Sequence, residues 1–290
     1  MKTKIVILTP VYNDWNNLGK LLKKINKVFE VSIKNTFDLV IVNDCSKENY
    51  NHKKYKLKMI NKIILINLEK NVGSQRAIAI GLKYLKKSYK NNFKTIIIDS
   101  DGQDNPKIIS KILRLNEKNP KCSIAINRGQ RREPIWFKLF YEAYCILVKL
   151  FCFKKIRFGN YSLVNISDLK KITEKKELWS AFPPTLSKNS NRLLHFSVDR
   201  EKRYGGNSKM NFYGLLSHAL RVFSALKLNV LYSSFFYMFL SLIIFYENNK
   251  ILLIIISLVL IAFNLSIFLI SLNNKRDFQE NFRKIKVLVI

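Results

Sequence analysis

The chain has 290 residues, with 51 Lys and Arg against 20 Asp and Glu and a formal net charge of +31. That length holds one catalytic-sized domain and an appendage, and that charge asks for an anionic partner such as phosphate, an acidic membrane surface or nucleic acid. The lysines are scattered, and no zinc-finger spacing, RNP-like aromatic motif or basic heptad region supports nucleic acid; Cys45, Cys122, Cys145 and Cys152 form no CxxC pair, which argues against zinc and fits a reducing, cytosolic setting.

In chain order, the first 130 residues alternate short apolar runs with amphipathic ones. Lys4–Leu8 is too short for a signal-peptide core, and Ile5–Leu8 reads as a first strand. Asp14–Phe29 predicts a helix with Leu18, Leu21, Leu22, Ile25 and Phe29 on one face. Strands are predicted at Phe37–Val42, Lys62–Ile66, Thr95–Ile98 and Ser123–Ile126, and helices at Ser74–Lys87 and Pro106–Asn116. This alternation predicts an α/β fold with a mostly parallel sheet covered on both faces. Ligands then bind outside the carboxyl ends of the strands.

The polar clusters fall at those ends. Thr9–Asp14 follows the first strand, Asn43–Ser46 the second, Asn71–Arg76 the third and Asp99–Asp104 the fourth. In the last, a β-branched run stops at Asp99, Ser100, Asp101, Gly102, Gln103 and Asp104, with Pro106 starting a helix. Carboxylates crowded at a strand end repel one another unless a cation sits among them, and a divalent ion carrying a diphosphate would serve. An acidic helix cap gives the same residue types.

Residues 135–153 carry thirteen large apolar or aromatic residues and only Lys138, Glu142 and Lys149 as charges. That composition predicts a helix lying in a membrane interface, or else a buried core helix. Leu228–Tyr246 and Ile251–Leu272 are uncharged apolar runs of bilayer-spanning length. Glu247–Lys250 is a tight loop between them, so the pair predicts a transmembrane hairpin. Arg221 and Lys227 before it, and Lys275 and Arg276 after it, predict that both flanks, and hence the N-terminal domain, lie in the cytoplasm. Asn264 is expected to bond across to the neighbouring helix. The organisation read is a domain over 1–226, a hairpin over 227–273 and a tail over 274–290, with Asp277–Ile290 uninformative.

Taken in order, the motifs resemble those of the family 2 glycosyltransferases. They look most like the branch that includes dolichyl-phosphate mannose synthase and the bacterial polyprenyl-phosphate glycosyltransferases. The carrying segments are Thr9–Asn13, Val42–Ser46, Asn71–Gly81, Asp99–Pro106, Arg128–Glu133 and Arg200–Lys209. The resemblance implies a GT-A (nucleotide-diphospho-sugar transferase) fold, Rossmann-like, over roughly residues 4–226. It implies that Pro10, Tyr12, Asp14, Asp44, Gly73 and Arg76 bind a nucleotide-sugar donor, with Asp99 on the sugar or ribose side. Asp101 and Gln103 would ligate Mg²⁺ or Mn²⁺, for which oxygen ligands are suited. Arg131 and Arg132 would meet phosphate oxygens. Arg200, Arg203, Ser208 and Lys209 would hold the phosphate of a polyprenyl-phosphate acceptor, although a solvated loop attracted to acidic lipid has the same composition.

One departure matters. The branch carries Gly-Asp-Phe-Arg-Leu where this chain has Gly159, Asn160, Tyr161, Ser162 and Leu163. Asn160, at the catalytic position, cannot act as a carboxylate base, and Ser162 cannot clamp phosphate as Arg would. An already ionised phosphate acceptor tolerates the missing acid, while the missing Arg weakens that acceptor. Transfer to a lipid-linked saccharide in surface polysaccharide assembly is the second reading, and a catalytically silent membrane scaffold the third. Membrane lipid is an expected partner, nucleic acid is not, and a homo-oligomer is left open.

Overall fold

The computed structural model describes residues 3–48, 57–90, 92–129, 135–153, 158–205 and 212–290. In chain order its elements are β1 (Lys4–Val11), α1 (Trp15–Val28), β2 (Phe37–Asn43), β3 (Ile60–Asn67), α2 (Ser74–Ser88), β4 (Phe93–Ile97), α3 (Ile108–Lys118), β5 (Ser123–Arg128) and α4 (Ile135–Cys152). There follow β6 (Phe158–Asn165), α5 (Ile166–Glu174), α6 (Phe182–Asn189), β7 (Leu193–Val198), α7 (Phe212–Ala225), α8 (Lys227–Phe245), α9 (Lys250–Arg283) and β8 (Lys286–Val289).

The strands form one sheet in the spatial order β7-β5-β6-β4-β1-β2-β3-β8. Strands β1 to β4 are mutually parallel, as the alternation predicts. The chain winds outward from β1 to β3, then returns to place β4 on the other side of β1. That reversal opens a crevice at the carboxyl ends of β1 and β4. Side chains alternate between the two faces: Val6, Leu8, Val40 and Val42 pack under α2, α5 and α6, while Ile5, Ile7, Leu39 and Ile41 pack under α1 and α3.

Two features go beyond the simple alternation. The fifth strand does not lie beside the fourth, because β6 is inserted between them, antiparallel to both. Its register sets Ile97 opposite Ser162, so two residues further on Asp99 comes opposite Asn160. Residues 274–290, read as a tail, instead continue α9 to Arg283 and then add β8 to the sheet edge, antiparallel to β3.

Helices α8 and α9 are each long and apolar enough to cross a membrane, and only 22% and 11% of their apolar windows are buried in the protein. The expected helix over 135–153 is α4. Its Leu139, Phe140, Ile146, Leu147 and Leu150 are exposed, while Val148 and Cys152 are buried. The end of α4 docks on α8 through backbone groups. Tyr237 Oη donates to Leu150 O at 2.9 Å, Ser233 Oγ to Phe151 O at 2.8 Å, and Asn229 Nδ2 to Cys152 O at 3.2 Å. These donors lie four residues apart on one face of α8, and they satisfy carbonyls that a helix end leaves without partners. Asn264 does not bond across to its neighbour: its Nδ2 donates to Leu260 O, one turn back in α9. A polar side chain in an apolar helix is satisfied there without an interhelical partner.

Candidate active site

The four polar loops converge at the carboxyl ends of β1 to β4, and hydrogen bonds tie them together. The first two loops exchange bonds: Asn13 N donates to Ser46 Oγ at 2.9 Å, and Lys47 N to Asn13 Oδ1 at 2.8 Å. Asn13 is in the left-handed region, φ +48°, which Asn tolerates better than most residues. Tyr12, next in line, is exposed above the crevice.

Asp44 joins the second loop to the third. Its Oδ1 accepts from Val72 N at 2.7 Å and its Oδ2 from Gly73 N at 2.9 Å. Gly73 precedes α2 with φ +86°, a conformation that favours glycine. Burial raises the Asp44 carboxyl above its ordinary value, against those two N–H groups and the nearby Arg76 charge. The carboxylate expected at the base and ribose thus also shapes the start of α2. Pro10 lies at the end of β1, in register with Val42.

Past β4, Asp104 is buried and Asp99 half-buried within a carboxylate cluster with Asp101. Burial, then the Asp101 charge, raises the Asp99 carboxyl, while the Asn160 amide, Arg128 and Arg200 oppose the rise. Asp104 is pushed up to about 7, first by burial and then by Asp99. A divalent cation among these groups would favour their ionised forms. Asp101 Oδ1 accepts from Gln103 N at 3.0 Å, and Asp101 Oδ2, which also meets Arg203, and the Gln103 side chain are the oxygen donors of this turn. Gly102 makes the turn feasible. Its φ is +81°, and a Cβ there would lie 2.2 Å from the Tyr204 ring.

The segment 200–205 lies across this turn. Glu201 N donates to Gln103 O at 2.9 Å and Tyr204 N to Asp101 O at 3.2 Å. Arg203 reaches two carboxylates, Asp14 Oδ2 at 2.6 Å and Asp101 Oδ2 at 3.3 Å. Asn17 Nδ2 donates to Asp14 Oδ1 at 2.8 Å and to Gly205 O at 3.0 Å. Asp14 therefore tethers this segment as well as bordering the first loop. Arg131, Arg132, Ser208 and Lys209 lie outside the described residues.

Asn160 sits in the sheet beside Asp99. Phe182 N donates to Gln75 Oε1 at 2.9 Å, Gln75 Nε2 donates to Asn160 Oδ1, and Asn160 Nδ2 donates to Asp99 Oδ1 at 2.8 Å. The backbone N–H fixes the Gln75 amide, that amide fixes Asn160, and Asn160 must then offer its NH₂ to the carboxylate. Ser162 is fully buried, its Oγ donating to Asn160 O at 3.0 Å; it supports the backbone of that residue. The positive charge comes instead from Arg128 on β5, whose guanidinium passes so close to Gly159 that a Cβ there would be 2.4 Å from Nη2. Arg128 and Arg200 line a small, open cleft together with Gln103, Asp104, Gly159 and Tyr161.

Several members of this site escaped the motif reading. Gln75 and Asp104 stood in quoted motifs without a role, and Arg128 opened a motif whose roles went to Arg131 and Arg132. Arg221, taken as a membrane-flanking charge, brings Nη1 within 3.7 Å of where a Gly73 Cβ would sit. His218 lies near Arg128 and Arg221, and burial first, then those charges, lower it to about 4. Only α7 joins these last two residues to the loops, and no local pattern announces that helix as part of a site.

The family model for glycosyl transferase family 2 matches residues 6–177. An uncharacterized glycosyltransferase of Synechocystis sp. is 25% identical over 231 residues, covering 76% of this chain and 68% of its own. Glucosyl-3-phosphoglycerate synthase from Mycobacterium tuberculosis, solved with Mn²⁺, UDP and glucosyl-3-phosphoglycerate, superposes with a TM-score of 0.52 at 11% identity, over 77% of this chain and 80% of that one. TarS from S. aureus superposes with a TM-score of 0.49 at 17% identity, over 80% of this chain and 41% of its own length.

Proposed function

The chain belongs to glycosyl transferase family 2, and from that premise we propose that it moves a sugar from a nucleotide-sugar donor to a polyprenyl phosphate at a membrane surface, with inversion. It is a glycosyltransferase by family; donor, metal and acceptor are our reading of its residues. The observation that carries the reading is the carboxylate cluster of Asp99, Asp101 and Asp104 at the crevice between β1 and β4, roofed by Arg203 and bordered by Arg128 and Arg200.

On this reading Asp44, Tyr12 and the first loop receive the base and ribose, and Arg76 faces the diphosphate. Among the described residues no group of three His, Cys, Asp or Glu side chains is placed to hold an ion. A cation here would take Asp101 and Gln103 from the protein and complete its shell from the donor, which suits Mg²⁺ or Mn²⁺. Mn²⁺ is present in the M. tuberculosis structure named above. When bound, such an ion would neutralise charge on the departing nucleoside diphosphate.

In the transfer, an acceptor phosphate oxygen attacks the anomeric carbon as the bond from that carbon to the donor diphosphate breaks. The acceptor is already ionised at neutral pH, so no proton must be removed, and an amide at position 160 is compatible with the step. Asn160 instead donates to Asp99 and holds it toward the sugar. Arg128, Arg200 and Arg203 offer the acceptor phosphate forked donors.

The membrane part of the proposal rests on α8 and α9, and on the exposed apolar face of α4 beside them. On this reading the crevice lies near a bilayer surface, and the basic residues flanking the hairpin favour a cytoplasmic catalytic domain. Purified protein in detergent, given Mn²⁺, a panel of radiolabelled nucleotide sugars and polyprenyl phosphate, should form an organic-extractable product with one donor. Product only with a lipid-linked glycan primer would assign the acceptor as a saccharide. No transfer or hydrolysis with any donor would leave the scaffold reading.

A further inference from the structure

The apolar run of α9 ends at Leu272, yet Asn274, two residues on, is 4% exposed and meets Arg76 of the third loop. Arg76 Nη2 donates to Asn274 Oδ1, and Asn274 Nδ2 donates to Ser180 Oγ at 3.0 Å. The chemistry fixes this orientation. A guanidinium carries only donors, so it must meet the amide oxygen, and the NH₂ then turns to Ser180. The Ser180 hydroxyl in turn lies 3.4 Å from Ser224 Oγ. One turn earlier, Lys227 Nζ donates to Ser271 Oγ at 2.8 Å and ties α8 to α9.

Arg76 is thereby held from two sides, because the Trp179 ring centroid lies 5.2 Å from its Cζ. A free arginine side chain samples many rotamers and loses that entropy on ordering. Asn274 and Trp179 have ordered it in advance. The same Arg76 helps keep Asp44 ionised, and Asp44 holds Val72 and Gly73. The end of α9 is kept close by β8: Ile63 and Ile290 exchange backbone bonds of 3.0 and 2.8 Å.

We propose that Asn274 is a positioning residue for the donor site. It aims Arg76 at the nucleoside diphosphate, so the C-terminal end of the hairpin completes the nucleotide site as well as serving as an anchor. This rests on the donor-site reading of Arg76 given above. A residue needed only to end an apolar span would be indifferent to its polar partners; this one is buried between an arginine and a serine of the catalytic domain.

The test is equilibrium binding of UDP and of GDP, each with Mn²⁺, to the full-length protein in detergent. For the nucleotide that binds the wild type, Asn274→Leu should weaken binding about tenfold, the value of one charge-assisted hydrogen bond. Asn274→Asp keeps an oxygen facing Arg76 and should restore binding to within about threefold. Arg76→Ala combined with Asn274→Leu should bind no more weakly than Arg76→Ala alone, since both act through one group. Unchanged affinity in Asn274→Leu, or additive losses in the double variant, would overturn the inference. If Asn274→Leu does not fold, Ser180→Ala removes the bond that orients the amide, together with the longer contact to Ser224. It should weaken binding about threefold, and an unchanged affinity there also overturns the inference. A wild type that binds neither nucleotide sinks the donor reading itself, and the inference with it.

Discussion

Asn160 Nδ2 donates to Asp99 Oδ1 at 2.8 Å, and it can do so only because Gln75 holds its other end. The relay from the Phe182 backbone to the Asp99 carboxylate is fully satisfied and buried, the situation in which polar networks specify geometry. An aspartate at position 160 would set another carboxylate into a cluster that already contains three.

Replacing Asn160 by Ala removes the donor from Asp99 and leaves the Gln75 NH₂ without its acceptor. The expected cost is about 2–3 kcal/mol of stability, from two orphaned buried groups. The turnover number should fall about tenfold or more as Asp99 loses its orientation. Thermal unfolding in detergent and steady-state kinetics measure both.

Arg203 shares its guanidinium between Asp14 and Asp101. A cation bound beside Asp101 competes with it, and an acceptor phosphate would draw it away. Arg203→Ala should therefore change two affinities in opposite directions. Mn²⁺ should bind a few-fold more tightly, on the order of a partly screened charge. The Michaelis constant for polyprenyl phosphate should rise about tenfold, with that for the donor nearly constant.

His218 predicts an acid limit to stability. Its folded value of about 4 lies below the ordinary 6.5, so the unfolded chain takes up the proton first as pH falls. The contribution is fully present above pH 6.5 and is lost between there and about pH 4. Allowing for partial exposure of the ring, about 2 kcal/mol is at stake. Denaturation of His218→Gln across that range should give a flatter dependence than the wild type.

The polar ladder on α8 predicts a packing energy. Ser233→Ala removes the donor to Phe151 O and should cost about 1 kcal/mol. Changing Asn229 to Ala and Tyr237 to Phe as well should cost about 3 kcal/mol, because all three carbonyls at the end of α4 lose partners. Unfolding midpoints of the single and triple variants in detergent measure it.

The parallel half of the sheet was legible in the sequence because β1 to β4 are largely buried runs, with helices of clear 3.6-residue period between β1 and β2 and between β3 and β4. Each run ends in polar residues, so the rim of the crevice was legible too. The antiparallel insertion of β6 was not, since nothing local to Phe158–Asn165 states which strands it will separate. The contact between Asn160 and Asp99 follows from that insertion and stayed hidden with it. Strand β8 is four residues long and lies at an edge, too short to show a period, and its pairing depends on where α9 delivers it. Arg128, His218, Arg221 and Asn274 were hidden for a related reason: each reaches the site from an element whose own pattern reports only its packing.

The most direct test is transfer by Asp101→Ala beside the wild type, in detergent with Mn²⁺, polyprenyl phosphate and the nucleotide sugar that the wild type uses. If Asp101 anchors the metal and diphosphate, the variant should retain less than about one part in a thousand of the wild-type rate, the scale on which loss of a transition-state charge stabiliser is measured. Activity close to that of the wild type would contradict the assignment of the metal centre, and with it the reading of the site.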